Sequence, residues 1–374
     1  MKIDRITIHL GRVGFWTKIS HESYDSMGMA VIRLHAGRHA GWGEAIVEGD
    51  EEVGVLREMA GGLLGRELAG PSSALPDRHE DRPHGVYRTC REGLSMALYD
   101  LFGQVYGVPV SVLLGGTRRD RVPLMPCVTL APPEAMERRA AAWVKAGYRS
   151  LKVKLRGDRE EDRETVDRIR RVVGPRIELT ADANSAYTDL ETAVAAVHDL
   201  DPFNLSVIED ICDVSLAEYA VIRSRIRPKQ MIDRHAYWPK TLQVLTCGAA
   251  DALNLHPRNV GGLDVGLWMD AAARAAGVET RIGACHMLGI GSAAFQILGS
   301  VATATMPVED LGPLRYEEHF GVSDEHYPAD EKRLIVRELF PVEDGELIPP
   351  DAPGLGIEVD AAKLEAMTTD VVEM

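Results

Sequence analysis

The sequence predicts an α/β protein in which a (β/α)7-8 barrel of the TIM type carries an α+β capping domain. Two observations support this fold class. Beyond residue 121, short apolar runs alternate with segments of helical periodicity, and each strand–helix unit takes about 25 residues, as in a closed parallel barrel. Residues 1–121 have a different order, with strand-like segments first and helical segments afterwards.

The domain boundaries are placed where these patterns change. Residues 1–121 form the predicted N-terminal capping domain, residues 122–315 the barrel, and residues 316–374 a C-terminal segment that returns to the capping domain. The last segment is separated because it has scattered apolar residues, several prolines and no strand–helix repeat. In the capping domain, strands are predicted at 2–10 and 29–36, and helices at 51–66 and 88–106.

The barrel region alternates strands and helices in short steps, which implies parallel pairing through right-handed crossovers. Seven or eight such units fit a closed barrel better than an open sheet. The predicted strands are 122–130, 150–155, 177–182, 205–209, 229–233, 251–256 and 278–283. The predicted helices are 133–146, 159–173, 190–199, 215–225, 239–247, 263–276 and 290–303.

Composition excludes several classes of partner. The 374 residues carry a formal net charge of -15, which argues against nucleic acid, because phosphate binding needs a basic face. No stretch resembles a membrane span, and the N-terminus begins with a strand-like segment instead of a signal peptide. The five cysteines are scattered without a C-x-x-C pair, so neither a zinc knuckle nor a disulfide framework is indicated. We therefore expect a cytoplasmic protein that binds neither nucleic acid nor membrane.

Two lysines lie two residues apart on the second predicted barrel strand. Lys152 and Lys154 must point to the same side of that strand, because side chains alternate along a strand. If that side is the barrel interior, the two cations need anions nearby, since an unpaired buried charge is costly.

Three carboxylates supply those anions. Asp182, Glu209 and Asp233 each end an apolar run, and the carboxyl ends of barrel strands meet at one mouth. Three oxygen ligands suit Mg²⁺, with Mn²⁺ as a possible substitute, whereas zinc would favour histidine and cysteine. The sequence therefore predicts a divalent metal site at this mouth.

A metal bound to a substrate carboxylate stabilises the enediolate that forms when the α-proton leaves. Lys154 is a candidate base, because Lys152 and the metal both favour loss of its proton. Lys152 would neutralise the substrate carboxylate. His256 or His286, also at strand ends, would be the second acid/base on the other side.

The segment Gly14–Asp25 mixes aromatic, cationic and hydroxyl side chains without periodicity. We interpret it as a loop, which is either a substrate lid or an ordinary hairpin connection. The candidate substrate-binding residues are Trp16, Lys18 and Tyr24 in this loop, together with Asn184 at a strand end.

Several motifs together resemble the enolase superfamily, in its mandelate racemase and muconate lactonizing branch. They are Lys152-Val153-Lys154, the positions of Asp182, Glu209 and Asp233, the segment Val260-Gly261-Gly262-Leu263, the helix around Gly93–Leu101 with the following Gly107-Val108-Pro109, and Pro353-Gly354-Leu355-Gly356. The resemblance implies a Mg²⁺ enzyme that abstracts a proton α to a carboxylate. It also implies specificity loops near residues 15–28 and 44–52.

The chain departs from this family pattern at several positions. His256 stands where cycloisomerases and dipeptide epimerases carry a lysine. His286 fits the seventh-strand histidine of the racemase and dehydratase branch, but the aspartate partner of that histidine is missing. Glu309 stands where the racemase branch has an acidic hydrogen-bond donor to the substrate carboxylate. Asp210 and Arg234 also differ from the usual residues, so the chain mixes features of two branches.

We favour a dehydratase of a hydroxy acid or sugar acid, because a histidine can protonate a departing hydroxide. The alternatives are a racemase or epimerase and a cycloisomerase of a carboxylate substrate, such as an amino-acid derivative or a muconate-like acid. A non-catalytic ligand-binding relative is the alternative from another class, supported by the unusual His256 and Arg234. The expected partners are a small carboxylate substrate and further copies of the chain in a homo-oligomer.

Overall fold

A small antiparallel sheet with its helices packs over one end of a parallel barrel. The computed structural model describes residues 1–14, 26–76, 78, 80–285, 287–304, 306–310 and 334–374. Among these residues, no helix combines the length and the apolar composition needed to cross a bilayer.

The N-terminal unit contains a four-stranded antiparallel sheet, and one of its edge strands comes from the C-terminus of the chain. The helices α1 (Asp50–Gly61) and α2 (Val86–Tyr106) accompany it, and α2 packs directly on the sheet. In spatial order the strands are β14 (Thr368–Glu373), β1 (Arg5–Gly14), β2 (Ser26–Ala36) and β3 (His39–Ile46).

The second unit is a barrel of eight parallel strands in the described part of the chain. The first seven strands pair in sequence order, and the eighth pairs with the first through Glu309 and Met125 and lies beside the seventh. The strands are β4 (Val122–Val128), β5 (Ser150–Lys154), β6 (Glu178–Asp182), β7 (Val207–Glu209), β8 (Lys229–Ile232), β9 (Ala252–Leu255), β10 (Glu279–Ile282) and β11 (Val308–Asp310).

Helices follow the first seven of these strands, and a single-turn helix precedes them. Local sequence explains several helix starts: Asp158 and Asp189 accept backbone N–H groups at two N-termini, and Ser215 with Glu218 forms a capping box at a third. The helices are α3 (Val110–Leu113), α4 (Pro133–Lys145), α5 (Arg159–Val173), α6 (Leu190–Leu200), α7 (Leu216–Arg225), α8 (Lys240–Thr246), α9 (Leu263–Ala275) and α10 (Ile290–Val301).

The C-terminal segment contacts both units. The hairpin β12 (Val342–Glu343) and β13 (Glu346–Leu347) pairs antiparallel with β4 through Leu347 and Val122. The chain then passes α2, where the Leu355 N–H donates to Asp100 Oδ1 at 2.8 Å. It ends with α11 (Ala361–Met367) and β14, which joins the N-terminal sheet.

The predicted fold class is confirmed. The structure adds an eighth barrel strand, β11, which the sequence did not reveal because it has three residues and two of them are charged. The loop predicted at Gly14–Asp25 lies, except for Gly14, outside the described residues. The domain boundaries stay a prediction.

Candidate active site

Lys152 lies at the centre of a buried ionic cluster inside the barrel. Its Nζ lies 2.9 Å from Asp182 Oδ2, 2.8 Å from Glu209 Oε1 and 2.7 Å from Glu309 Oε1. The side chain is 4% exposed. Burial alone would lower its pKa, but the three carboxylates raise the pKa well above its ordinary value. Lys152 is therefore a fixed cation.

Lys154, two residues further along β5, faces the same interior. Its Nζ lies 2.5 Å from Asp182 Oδ2 and 2.7 Å from Asn184 Oδ1. Burial opposes its charge, and so does Lys152, as predicted, yet Asp182 outweighs both and raises the pKa of Lys154 above its ordinary value. In turn, Lys152 and Lys154 lower the pKa of Asp182 although burial would raise it.

The other two predicted metal ligands lie among more carboxylates than the two lysines balance. Burial, together with neighbouring carboxylates, raises the pKa of Glu209 to about 8 and that of Asp233 to about 7. Asp233 follows β8, and its Oδ1 lies 3.3 Å from Asn259 Nδ2. The neighbouring Asp210 has a structural contact: its carboxylate accepts hydrogen bonds from the backbone N–H groups of Asp233 and Arg234.

The donor set fits a hard divalent cation. Glu209 Oε2 is buried without a hydrogen-bond partner, and Arg281 Nη1 lies 3.7 Å from it. As the side chains lie, no three acidic, histidine or cysteine side chains of the described residues surround a single point at ligand distance. Asp182, Glu209 and Asp233 are the oxygen donors that would hold Mg²⁺, and the cation would offset the repulsion among their ionised carboxylates.

His256 follows β9 on the far side of the barrel from Lys154. Strand β9 is four strands from β5 in either direction around the eight-stranded barrel. His256 Nδ1 lies 2.5 Å from the Pro257 carbonyl oxygen. Burial lowers the pKa of His256 to about 4. Of the other predicted residues, His286, Trp16, Lys18 and Tyr24 lie outside the described residues.

Sequence reasoning missed two polar residues of the cluster. Asn254 Nδ2 donates to Glu209 Oε1 at 2.9 Å and to Glu309 Oε1 at 3.0 Å. Arg281 on β10 donates from Nη2 to Thr180 Oγ1 at 3.0 Å. The signal for Asn254 was the two-residue spacing from His256, the same spacing that revealed the lysine pair.

The geometry defines a class of protein: a capped parallel barrel whose strand ends bring lysines, carboxylates and a histidine to one mouth. The family model described as Enolase C-terminal domain-like matches residues 135–363. The chain belongs to the enolase superfamily, in the mandelate racemase and muconate lactonizing family.

The chain is 25% identical to the N-succinyl-L-Arg/Lys racemase of Bacillus cereus, over 98% of each chain. It is 30% identical to the cis-3-hydroxy-L-proline dehydratase of Roseibium aggregatum, over 56% of each chain. The crystal structure of the muconate lactonizing enzyme of Pseudomonas fluorescens has the same fold, with a TM-score of 0.84 and 22% identity over 98% of this chain and 99% of that chain.

Proposed function

We propose that this protein is a Mg²⁺-dependent enzyme that removes the proton α to the carboxylate of a small acid and handles it from two opposite sides. The observation that carries the proposal is the placement of Lys154 and His256 on strands four apart in an eight-stranded barrel. A substrate held at the mouth would lie between them.

The other cluster residues support this chemistry. Lys152 would neutralise the substrate carboxylate, and Glu309, bound to Lys152 at 2.7 Å, would orient it. Bound Mg²⁺, or Mn²⁺ in its place, would supply electrostatic stabilisation of the negative charge that develops as the α-proton leaves. Trp16, Lys18, Tyr24 and Asn184 are proposed substrate contacts, and His286 is a proposed further acid/base.

The two groups that would flank the substrate, Lys154 and His256, differ in their pKa values and therefore in their protonation near pH 7. Lys154 keeps its proton, because Asp182 raises its pKa, whereas His256 is neutral near pH 7, because burial lowers its pKa to about 4. One side can therefore accept a proton while the other donates one, which is what racemisation or epimerisation requires. The similarity to an N-succinyl-amino-acid racemase supports this reaction class, with an N-acylated amino acid or dipeptide as substrate.

Dehydration of a hydroxy acid or sugar acid is the second candidate. The same His256, once protonated, would give its proton to a departing hydroxide. The similarity to a hydroxyproline dehydratase supports it. Cycloisomerisation needs the same α-proton chemistry. We also propose that the protein is cytoplasmic and forms a homo-oligomer.

The test is a screen in D₂O with Mg²⁺, across hydroxy acids, sugar acids, N-acylated amino acids and dipeptides. Mass spectrometry distinguishes the reactions. Racemisation or epimerisation replaces the α-hydrogen with deuterium and keeps the other atoms, whereas dehydration removes water. Lys154→Ala is the matched control and should abolish the dominant reaction. If no acid shows exchange or water loss, that result would favour a non-catalytic ligand-binding protein.

A further inference from the structure

The capping domain holds the loop that carries His256. This loop, residues 256–262, joins β9 to α9 and packs against α2. Glu92 of α2 is 2% exposed, and its two oxygens lie 3.0 and 3.1 Å from the backbone nitrogen of Arg258. Glu92 Oε2 also accepts the Gly261 N–H at 3.3 Å. A buried carboxylate of one unit therefore binds the backbone of a loop of the other.

The contact reaches His256 through a single peptide unit. The N–H that Glu92 binds belongs to the peptide between Pro257 and Arg258, and the carbonyl of that same peptide is 2.5 Å from His256 Nδ1. A peptide group is planar, so fixing its N–H end also fixes the direction of its carbonyl end. Glu92 and His256 thus bind opposite ends of the same planar peptide group, the Arg258 N–H and the Pro257 carbonyl oxygen.

The conformation of this peptide needs such support. Arg258 has φ +76°, in the left-handed region, where a residue with a side chain is strained. The loop also turns back on itself, because the Asn259 and Val260 N–H groups donate to the His256 carbonyl oxygen at 3.1 and 3.2 Å. Without Glu92, the Arg258 N–H would lose its partner and the strained peptide would be free to rotate.

The hydrogen bond also fixes which nitrogen of His256 can act. A carbonyl oxygen only accepts, so Nδ1 must carry the hydrogen and Nε2 of the neutral ring is the basic nitrogen. In the proposed reaction, Nε2 forms a bond to the proton as the Cα–H bond breaks, and the electron pair of that bond stays on the substrate. The Nδ1 hydrogen stays on Nδ1 and keeps its hydrogen bond to the Pro257 carbonyl oxygen, which stabilises the resulting imidazolium.

We infer that Glu92 is a positioning residue for His256: it fixes the Pro257–Arg258 peptide, which in turn orients the ring and sets its tautomer. The inference rests on the proposed function, in which His256 exchanges protons with substrate. Glu92 itself contacts neither substrate nor metal in this scheme.

The experiment measures α-proton exchange in D₂O for each stereoisomer of the acid found by the screen. Lys154→Ala and His256→Gln first identify which isomer presents its proton to which residue. Glu92→Ala should then slow exchange on the His256 side by about 100-fold, the cost of a displaced catalytic group, and leave the Lys154 side within about threefold. Glu92→Gln keeps an acceptor for the Arg258 N–H and should restore the His256 side.

Two further variants keep this test decisive. Glu92→Asp withdraws the carboxylate by one methylene with its charge kept, and should show the same one-sided loss if Glu92→Ala does not fold. Asp100→Asn weakens another buried contact of α2, the hydrogen bonds that the Asp100 carboxylate accepts from the Trp42 and Leu355 N–H groups, without touching the loop 256–262. It should leave the ratio between the two sides unchanged.

Equal loss on both sides in Glu92→Ala and Glu92→Asp, or no loss in either of them, would overturn the inference while the proposed function stands. A wild-type protein that exchanges neither isomer would instead refute the proposed function. In that case a crystal structure of Glu92→Asp still tests the geometry, because we expect the His256 ring to leave the Pro257 carbonyl. An unmoved ring would contradict the inference.

Discussion

At the scale of single residues, the barrel interior balances buried cations against buried carboxylates. Lys152 Nζ and Asn254 Nδ2 both donate to Glu209 Oε1 and to Glu309 Oε1. The two donors differ in charge, because Asn254 adds hydrogen bonds without adding a cation. Asn254 therefore orients the carboxylates while leaving negative charge available for a metal.

Asn254→Ala should weaken Mg²⁺ binding by about 10- to 100-fold, the usual effect of removing a partner that orients a metal ligand. Titration calorimetry of the purified protein measures the affinity. Asn204→Ala is the control, because Asn204 is an exposed turn residue that precedes β7, at the opposite end of the strand from Glu209. Equal Mg²⁺ affinity in the wild type and Asn254→Ala would show that Asn254 does not orient the ligand.

At the scale of elements, α2 and β3 approach so closely that each has a glycine where they meet. A Cβ built on Gly43 would lie 2.0 Å from the Gly93 carbonyl oxygen, and one built on Gly93 would lie 2.8 Å from the Glu44 carbonyl oxygen. The contact brings β3 and α2 together at the positions of Glu44 and Glu92, the two buried carboxylates that bind barrel loops.

Gly43→Ala should lower the free energy of unfolding by about 1–3 kcal/mol, because the added methyl overlaps backbone that cannot move aside cheaply. Urea denaturation measures the change. Gly54→Ala is the matched control: Gly54 lies inside α1, nothing lies within 4 Å of its added Cβ, and the substitution should raise stability by about 0.5–1 kcal/mol. A neutral Gly43→Ala would contradict the described packing.

Elements with strong local signals could be predicted from the sequence. The periodicity predicted α5 at residues 159–173, as found, because helical spacing is a local feature of the sequence. Strand β11 escaped because three residues carry no period. The sequence marked Lys152, Asp182 and Glu209, which the structure brings together, but not Arg281 or Glu92. Arg281 and Glu92 have partners distant in sequence, and no local pattern indicates such contacts.

At the scale of the whole molecule, a second buried glutamate joins the two units. Glu44 of β3 is fully buried, and its Oε1 accepts the Leu288 N–H just before α10 at 2.8 Å. Burial raises the pKa of Glu44 to about 7, although the N–H groups of Leu288, Gly291 and Ile290 oppose the shift. The stability of the assembled units should therefore depend on the protonation of this residue.

A carboxyl group whose pKa is raised by folding stabilises the protein below its unfolded pKa, near 4.5, and this contribution is lost as the pH rises through about 7. Glu44→Gln keeps the shape and the oxygen acceptor but cannot ionise. The loss of unfolding free energy between pH 5 and pH 8 should be smaller in Glu44→Gln than in the wild type, by about 2–3 kcal/mol. Urea denaturation at the two pH values measures it. Glu51→Gln, an exposed change in α1, is the control, and identical pH dependence in all three proteins would contradict the shift.

The most direct test of the proposed chemistry is the rate of α-proton exchange in D₂O, followed by NMR for the acid that the screen identifies. We expect exchange in the wild type with Mg²⁺, loss of exchange when the metal is removed by EDTA, and recovery when Mg²⁺ is restored. In Lys154→Ala we expect the isomer that faces Lys154 to stop exchanging while the protein still binds Mg²⁺. Exchange that continues unchanged without metal, or unchanged for both isomers in Lys154→Ala, would contradict the assignment of this cluster as the active site.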